Sequence, residues 1–310
     1  MRKIVITGAL GHIGSRLVRE IPSQFPNIEI LMIDNLITQR YCSLFNLPKG
    51  ICYKFIETDV LTANLDELFE NSNVVVHLAA LTDAASSFQN REVVKDTNYN
   101  ATKAVAEACI KCKCKLIYVS STSVYGTQQG VVDESCTSDQ LVPQSPYAES
   151  KLQEEELLQN LSQTDELSFS IFRFGTISGV SPGMRFHTAV NKFCLQAVMN
   201  QPLTVWKTAL YQKRPYLDLT DAIGAILYVA EHGFFSQNIY NVLTENLTVD
   251  SILRIVKAYV PNMTIEYVEA EIMNQLSYEV SSEKFRRLGF TPRGSLETSI
   301  SETITLLETS

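Results

Sequence analysis

Tyr147 and Lys151 stand four residues apart in Pro146-Tyr147-Ala148-Glu149-Ser150-Lys151, a stretch whose apolar spacing predicts a helix. On a helix this separation puts a phenol and an ammonium on one face. A phenol titrates at about pH 10, so it acts as a base at neutral pH only where something favours its anion. An ammonium ~4 Å away contributes about 4 kcal/mol at a surface-like dielectric, enough to lower that pKa by ~3 units. Tyr147 is thereby the candidate acid/base. Ser121, upstream, supplies a hydroxyl. The same Y-x-x-x-K spacing also occurs on ordinary solvated helix faces, so its meaning depends on the remaining motifs.

The first of these is at the amino terminus. The apolar run Ile4-Val5-Ile6 leads into Thr7-Gly8-Ala9-Leu10-Gly11-His12-Ile13-Gly14, and then into a helical pattern at Ile13, Leu17, Val18 and Ile21 that Pro22 is expected to close. Strand, tight turn and helix in this order suit a dinucleotide pyrophosphate. Gly8 permits the turn, Gly11 a close backbone approach and Gly14 the packing of helix on strand, while the helix N-terminus meets the negative charge. Asp34 ends a second apolar run, Ile28 to Ile33, where a carboxylate accepts the adenosine ribose hydroxyls and repels a 2′-phosphate. The expected cofactor is therefore NAD, with Arg40 close by in sequence. Further apolar segments end at Glu57-Thr58-Asp59-Val60 and at His77-Leu78-Ala79-Ala80. In a doubly wound sheet these ends converge on the cofactor crevice, so Asp59 is placed to meet the adenine and Ala79 and Ala80 to lie against the dinucleotide. A turn role for Asp59 fits its position equally.

Taken together, the chain resembles the extended short-chain dehydrogenase/reductases, and among them the NAD-dependent nucleotide-sugar epimerases and dehydratases, with a likeness to UDP-glucose 4-epimerase-like members. The resemblance rests on Thr7 to Gly14, Asp34-Asn35-Leu36, Asp59-Val60, Asn98 to Thr102, Ser120 to Gly126, Pro146 to Lys151, Arg173-Phe174-Gly175, Arg214 to Asp218 with Asp221, and Lys284 with Leu288-Gly289. It implies Ser121, Tyr147 and Lys151 as catalytic residues, with Lys151 holding the nicotinamide ribose and lowering the tyrosine pKa. It also implies a cofactor site of Gly8, Gly11, His12, Ile13, Gly14, Asp34, Asn35, Asp59, Val60, Leu78, Ala79, Ala80 and Asn98 together with Tyr147 and Lys151. Thr122, Thr176, Arg185, Asn191, Trp206 and Arg214 are implied for the substrate, a nucleotide-diphosphate sugar. Arg214 suits a diphosphate through its bidentate guanidinium.

Dehydratases of the family carry Asp-Glu directly after the catalytic Thr. Here Thr122 and Ser123 occupy those places, and neither titrates usefully. The related decarboxylases usually keep a Glu at the second position. The expectation is therefore chemistry needing only hydride and one proton: epimerisation through a 4-keto intermediate. A nucleotide-sugar 4-dehydrogenase or ketoreductase on the same scaffold is the alternative, and a non-catalytic NAD-binding regulatory protein is a second. The chain departs from the family pattern at Thr176, which replaces an Asn, in the stretch from Ser181 to His187, and in lacking an evident second phosphate arginine before Tyr278, where Glu271 or a neighbour stands.

The elements that must position these residues follow from the alternation of strand and helix patterns up to Phe174. The expected architecture is α/β: a Rossmann-type doubly wound parallel sheet with a smaller mixed α/β substrate-binding lobe. Residues 1–175 form the NAD-binding part, with segments about 214–245, including Tyr216 to Leu219 and Ile239 to Val242, returning to its sheet. Residues 176–213 and 246–310 form the substrate lobe. In relatives, helices equivalent to those near 90–113 and 145–162 pair across a dimer, so a homodimer is expected. The net charge of −8 without a basic stripe argues against nucleic acid. No apolar stretch approaches the ~18 residues of a membrane span, and Met1-Arg2-Lys3 leads straight into a strand rather than a signal peptide. Seven cysteines, an odd number, suit a reducing cytoplasm. Cys109, Cys112 and Cys114 cluster at a helix end without a second Cys/His pair at ligand spacing, so no metal is expected. His187 is the one histidine near the substrate stretch.

Overall fold

The computed structural model describes residues 1–82, 88, 90–128, 130–164, 166–269 and 278–309. The seven strands of the main sheet are all parallel. They are β1 (Lys3–Thr7), β2 (Glu29–Asp34), β3 (Cys52–Glu57), β4 (Val74–His77), β5 (Lys115–Ser121), β7 (Phe169–Phe174) and β11 (Asn238–Val242), laid side by side as β11-β7-β5-β4-β1-β2-β3. The short β6 (Val131–Val132) lies outside it. Successive residues of a strand point to opposite faces, and both faces are covered. Ile4 and Ile6 of β1 pack under helices α1 (His12–Gln24) and α6 (Leu219–His232). Val5 packs on the other side against Ala101 and Val105 of α3 (Arg91–Cys112) and Leu158 of α4 (Pro146–Thr164). Burial on both faces explains why these strands read as continuous apolar runs.

The order reverses between β1 and β4, whose carboxyl ends open the crevice where an α/β sheet binds its ligand. The short α2 (Leu65–Phe69) precedes β4. Helix α1 does not stop at Pro22 but continues to Gln24. Proline removes the N–H that would pair with the Val18 carbonyl, and the Tyr53 hydroxyl donates to that oxygen instead at 3.1 Å.

Beyond Gly175, whose N–H still reaches the Val242 carbonyl at 3.0 Å, the chain leaves the main sheet. β8 (Thr176–Ser178) pairs in parallel with β10 (Lys213–Asp218), and β12 (Glu245–Thr248) pairs antiparallel on the other side. Residues 216–218 were expected to return to the main sheet; Ile239 to Val242 do, while 216–218 build this second sheet and Leu219 opens α6. The reason is local: β11 takes the free edge of β7, leaving β10 to β8. A separate core joins Phe193 of α5 (Ala189–Val198), Val205 of β9 (Leu203–Trp206), Ile252 of α7 (Val249–Tyr259) and Ile300 of α9 (Leu296–Glu308). The strand β13 (Ile265–Val268) pairs with β9, and β14 (Glu279–Val280) with β6. Phe285, on α8 (Glu283–Arg286), and Phe290 join the main-sheet core rather than this second one. Glu271 and the place expected for a second phosphate arginine lie outside the described residues.

At the end of α3 the Cys109 thiol is buried, and burial pushes its pKa well up. The Cys114 thiol, raised to about 11 by the same cause, donates to the carbonyls of Phe69 and Ser72 at 3.4 and 3.3 Å. Among the described residues no helix is long and apolar enough to cross a membrane.

Candidate active site

The glycine loop sits at the switch point. Gly8 has φ +67°, and a Cβ there would lie 2.7 Å from the backbone nitrogen of Ala79, so the loop after β1 presses directly on the loop after β4. The hydroxyl of Thr7 joins the same two loops. It lies 2.7 Å from His77 Nδ1 and accepts from the N–H of Leu78 at 3.3 Å. Burial, helped by Lys151, lowers His77 to about pKa 3 and keeps it neutral. Asp34 fixes the loop from the end of β2, accepting from the N–H groups of Leu10 and Leu36, each at 3.0 Å. Arg40 reaches the same loop beside Asp34. Asp59 is held by the Asn35 amide at 2.9 Å and by the Leu61 N–H at 2.9 Å.

The tyrosine centre lies at the ends of β5 and α4. Ser121 closes β5 and its Oγ accepts from the Ser123 hydroxyl at 2.9 Å. Tyr147 and Lys151 share one face of α4, as the spacing predicts, but the ammonium is engaged elsewhere. It sits 5.9 Å from the Tyr147 ring centroid, donates to the Tyr118 hydroxyl at 2.9 Å, and lies 3.4 Å from Glu154 Oε2. Burial raises the Tyr147 pKa well above the ordinary phenol value, Glu154 adds to the rise, and Arg185 opposes it. The ammonium expected beside the Tyr147 phenol is instead shared with Tyr118 and Glu154, which hold the lysine from behind. Both partners escaped the sequence reading. The signal for Glu154 is its place three residues after Lys151 on a helix whose other face is solvated.

A strap from Gly179 to His187 crosses the glycine loop. His12 Nε2 donates to the Gly179 carbonyl at 2.8 Å, the Gly183 N–H donates to Ser15 Oγ at 2.9 Å, and the Cys42 thiol reaches the Pro182 carbonyl at 3.2 Å. A Cβ on Gly183 would stand 2.6 Å from the Gly11 carbonyl oxygen and closer still to that of Leu10. Arg185, carried in by the strap, hydrogen-bonds the Thr82 hydroxyl across the crevice.

Ser121, Tyr147, Lys151, Thr176, Arg185, Trp206 and Arg214 all line one cavity with the glycine loop, Asp34, Asn35, Asp59, Val60 and Leu78 to Ala80. Trp206 is 40% exposed at the end of β9, so the only tryptophan is a wall of the cavity rather than core. Two expected substrate contacts are placed elsewhere. Thr122 is buried, its hydroxyl donating to the Phe174 carbonyl at 3.3 Å and lying 3.4 Å from Tyr278 Oη; Ser123 faces the cavity instead. Asn191 is fully buried on α5 and braces the strap, accepting from the Gly179 N–H at 3.3 Å and donating to the Arg185 carbonyl at 3.0 Å. Asn98 borders the cavity, yet its amide is occupied: it accepts from the Leu81 N–H at 2.8 Å, donates to the Leu81 carbonyl at 3.1 Å, and reaches Ser150 at 3.3 Å.

The model of the NAD-dependent epimerase/dehydratase family matches residues 4–242. The chain belongs to that family. This epimerase/dehydratase family member is 32% identical over 236 residues to the uncharacterized UDP-glucose epimerase YtcB of Bacillus subtilis, covering 73% of this chain and 72% of that one. It is 28% identical over 323 residues to the trifunctional UDP-glucose 4,6-dehydratase/UDP-4-keto-6-deoxy-D-glucose 3,5-epimerase/UDP-4-keto-L-rhamnose-reductase RHM2 of Arabidopsis thaliana. That match covers 98% of this chain, which spans about half (46%) of the plant enzyme. The fold is that of the UDP-glucuronic acid 4-epimerase of Bacillus cereus, solved with UDP-glucuronic acid and NAD, at TM-score 0.91 and 24% identity over 99% of both chains.

The residues present fit the family's dinucleotide. The cavity, about 560 Å³, runs from the glycine loop to Arg214. Helix α1 starts at its rim with a glycine N-cap and no acidic residue in its first turn, so its positive end is uncompensated and can take a diphosphate. Asp34 stands where the adenosine ribose would end, and the small side chains of Ala79 and Ala80 leave the middle of the crevice open.

Proposed function

We propose that this protein is an NAD-dependent nucleotide-sugar epimerase that works through a transient 4-keto sugar. One observation carries the choice within the family. Among the described residues, the only carboxylates lining the cavity are Asp34 and Asp59, both at the glycine-loop end. Elimination of water from the ketose needs an acid and a base at neighbouring sugar carbons, and next to Ser121 stand Thr122, turned into the core, and Ser123. Oxidation and reduction at one carbon need a single proton carrier, which Tyr147 is.

NAD, when bound, supplies a reversible hydride acceptor. The chain supplies the rest. Tyr147 removes the proton of the sugar hydroxyl and returns it on reduction, a role worth about 10²–10⁴ in rate. Ser121, backed by Ser123, offers a hydroxyl to the same oxygen. Lys151 brings positive charge to the ribose end of the site. Arg214 and Trp206, at the opposite end, hold the diphosphate and the base while the ketose turns over between the two halves. The strap lies across the dinucleotide loop, as suits a cofactor that is regenerated in place at every turnover. The expected homodimer through α3 and α4 belongs to the same proposal.

The test is made on purified protein with no cofactor added. Any bound dinucleotide is released and identified, and UDP-, GDP-, CDP- and dTDP-sugars are followed by NMR for a change at the C4 proton. Retained NAD with interconversion of C4 isomers and no net NADH supports the epimerase. Stoichiometric NADH formation sinks it in favour of a dehydrogenase or ketoreductase.

A further inference from the structure

Tyr147, Lys151 and Glu154 occupy positions i, i+4 and i+7 of α4, one continuous face two helical turns long. Glu154 is 1% exposed. Its Oε2 accepts from the Thr102 hydroxyl of α3 at 2.5 Å and from the Tyr118 hydroxyl of β5 at 2.7 Å, and it lies 3.4 Å from the Lys151 ammonium. Its Oε1 has no hydrogen-bond partner among the described residues. Tyr118 in turn accepts from Lys151 at 2.9 Å. A directed chain therefore runs from Lys151 through Tyr118 to Glu154, on the side of the lysine away from the cavity. A buried carboxylate is expensive to desolvate unless it is paired, and with the adjacent Glu155 engaged by Arg173 it is Glu154 that lies beside the lysine.

We propose that Glu154 is a positioning residue that sets the proton affinity of Tyr147, by anchoring Lys151 through Tyr118 and offsetting the ammonium's charge. The phenol then stays protonated in the unfilled site and becomes a base only when the charges of cofactor and substrate arrive beside it. Among the described residues the surroundings offer little else to play this part. From α4 itself come Lys151 and Glu155, the latter paired with Arg173 of β7; from β5, Tyr118; from β4, the neutral His77; from α3, the uncharged Thr102. From the strap comes Arg185, whose charge acts in the opposite sense.

The inference rests on Tyr147 as the acid/base but not on the epimerase reaction, and its test needs no sugar. The ultraviolet absorbance of phenolate is titrated against pH in the protein with NAD added, and the Tyr147→Phe trace is subtracted to isolate Tyr147. Glu154→Gln keeps the shape and an acceptor for Thr102 and Tyr118 while removing the charge. At the ~10 Å of seven helical residues, that charge is worth about one pH unit. The Tyr147 midpoint is expected to fall by about that amount in Glu154→Gln, and by less in Tyr118→Phe, which cuts the link to the lysine. Glu154→Asp is expected to keep the original midpoint. The acidic limb of kcat/KM, where the base gains its proton, moves with the midpoint in whichever sugar is oxidised. An unchanged midpoint in Glu154→Gln, with circular dichroism intact, overturns the proposal and leaves Glu154 a packing residue. If that variant does not fold, an unchanged midpoint in Tyr118→Phe does the same. A shifted midpoint in a protein that epimerises nothing keeps this inference and removes the proposed function alone.

Discussion

His12 Nε2 and the carbonyl of Gly179, 2.8 Å apart, join the N-terminus of α1 to the strap that follows β8. The carbonyl fixes a proton on Nε2 in either charge state, and the ring prefers to be neutral. Burial supplies the preference, lowering the His12 pKa to about 4, with Arg40, Arg185 and His187 adding to it against the Gly179 bond.

Stability should therefore be acid-sensitive in a defined window. A histidine whose folded pKa lies below its unfolded value of 6.5 takes up its proton on unfolding, so its contribution is complete above about pH 6.5. It is lost progressively as pH falls toward about 4 for His12 and about 3 for His77. For His12 the loss amounts to at most about 3 kcal/mol. Denaturant midpoints of the NAD-free protein, taken across this range, should fall with pH, and His12→Gln should flatten the upper part of the curve. The same slope in both proteins would remove His12 from the account.

Tyr147→Phe deletes the proton carrier from a site that otherwise keeps its shape. Turnover is expected to drop by about 10²–10⁴, while the dinucleotide content and the thermal midpoint stay near those of the parent. Activity within a few-fold of the parent would show that another group, His187 being the nearest candidate by sequence, carries the proton.

Much of this site was legible because its geometry is short-range. The glycine loop, Asp34 and the pair Tyr147 and Lys151 each depend on spacing within one turn or one helix, and the strands announce themselves by apolar runs that both faces bury. What was missed depends on partners far away in the chain. Glu154-Glu155-Glu156 reads as a solvated helix face until Thr102, Tyr118, Ser120 and Arg173 arrive from other elements to bury its first two members. The ammonium of Lys151 is expected at Tyr147 because one helix face carries both, whereas Tyr118, to which it donates, comes from β5. Pro22 looked like a helix end because Tyr53, which satisfies the Val18 carbonyl, is on β3. Thr122 and Asn191 have residue types fit for a sugar, and only packing shows that neither lines the cavity.

Arg173 and Glu155 are both nearly fully buried, joined at 2.7 Å, with Ser120 donating to the same carboxylate at 2.5 Å. Arg173→Met should cost about 3–5 kcal/mol of stability, since it strands a buried carboxylate. Replacing Glu155 by Leu in the same chain should recover a large part of that loss. Chemical denaturation of the two variants measures this; equal losses in the single and double variants would mean that packing of the guanidinium, not its charge, matters there.

At Gly183 the strap presses against the backbone of the dinucleotide loop, leaving no room for a side chain. Its N–H bonds to Ser15 Oγ, and a Cβ would stand 2.6 Å from the Gly11 carbonyl oxygen. Gly183→Ala must therefore lift the strap or displace the loop, at a cost of about 1–3 kcal/mol for overpacking. If the strap is what keeps the dinucleotide in place between turnovers, the loss should fall on retention rather than on chemistry. Purified Gly183→Ala should carry less NAD than the parent, lose what it carries on gel filtration, and regain turnover when NAD is added in excess. Ser15→Ala removes the partner of the same N–H without the steric clash and should show a weaker form of the same behaviour. A Gly183→Ala protein that retains its dinucleotide through gel filtration as the parent does would show that the strap is not the barrier, whatever its effect on stability.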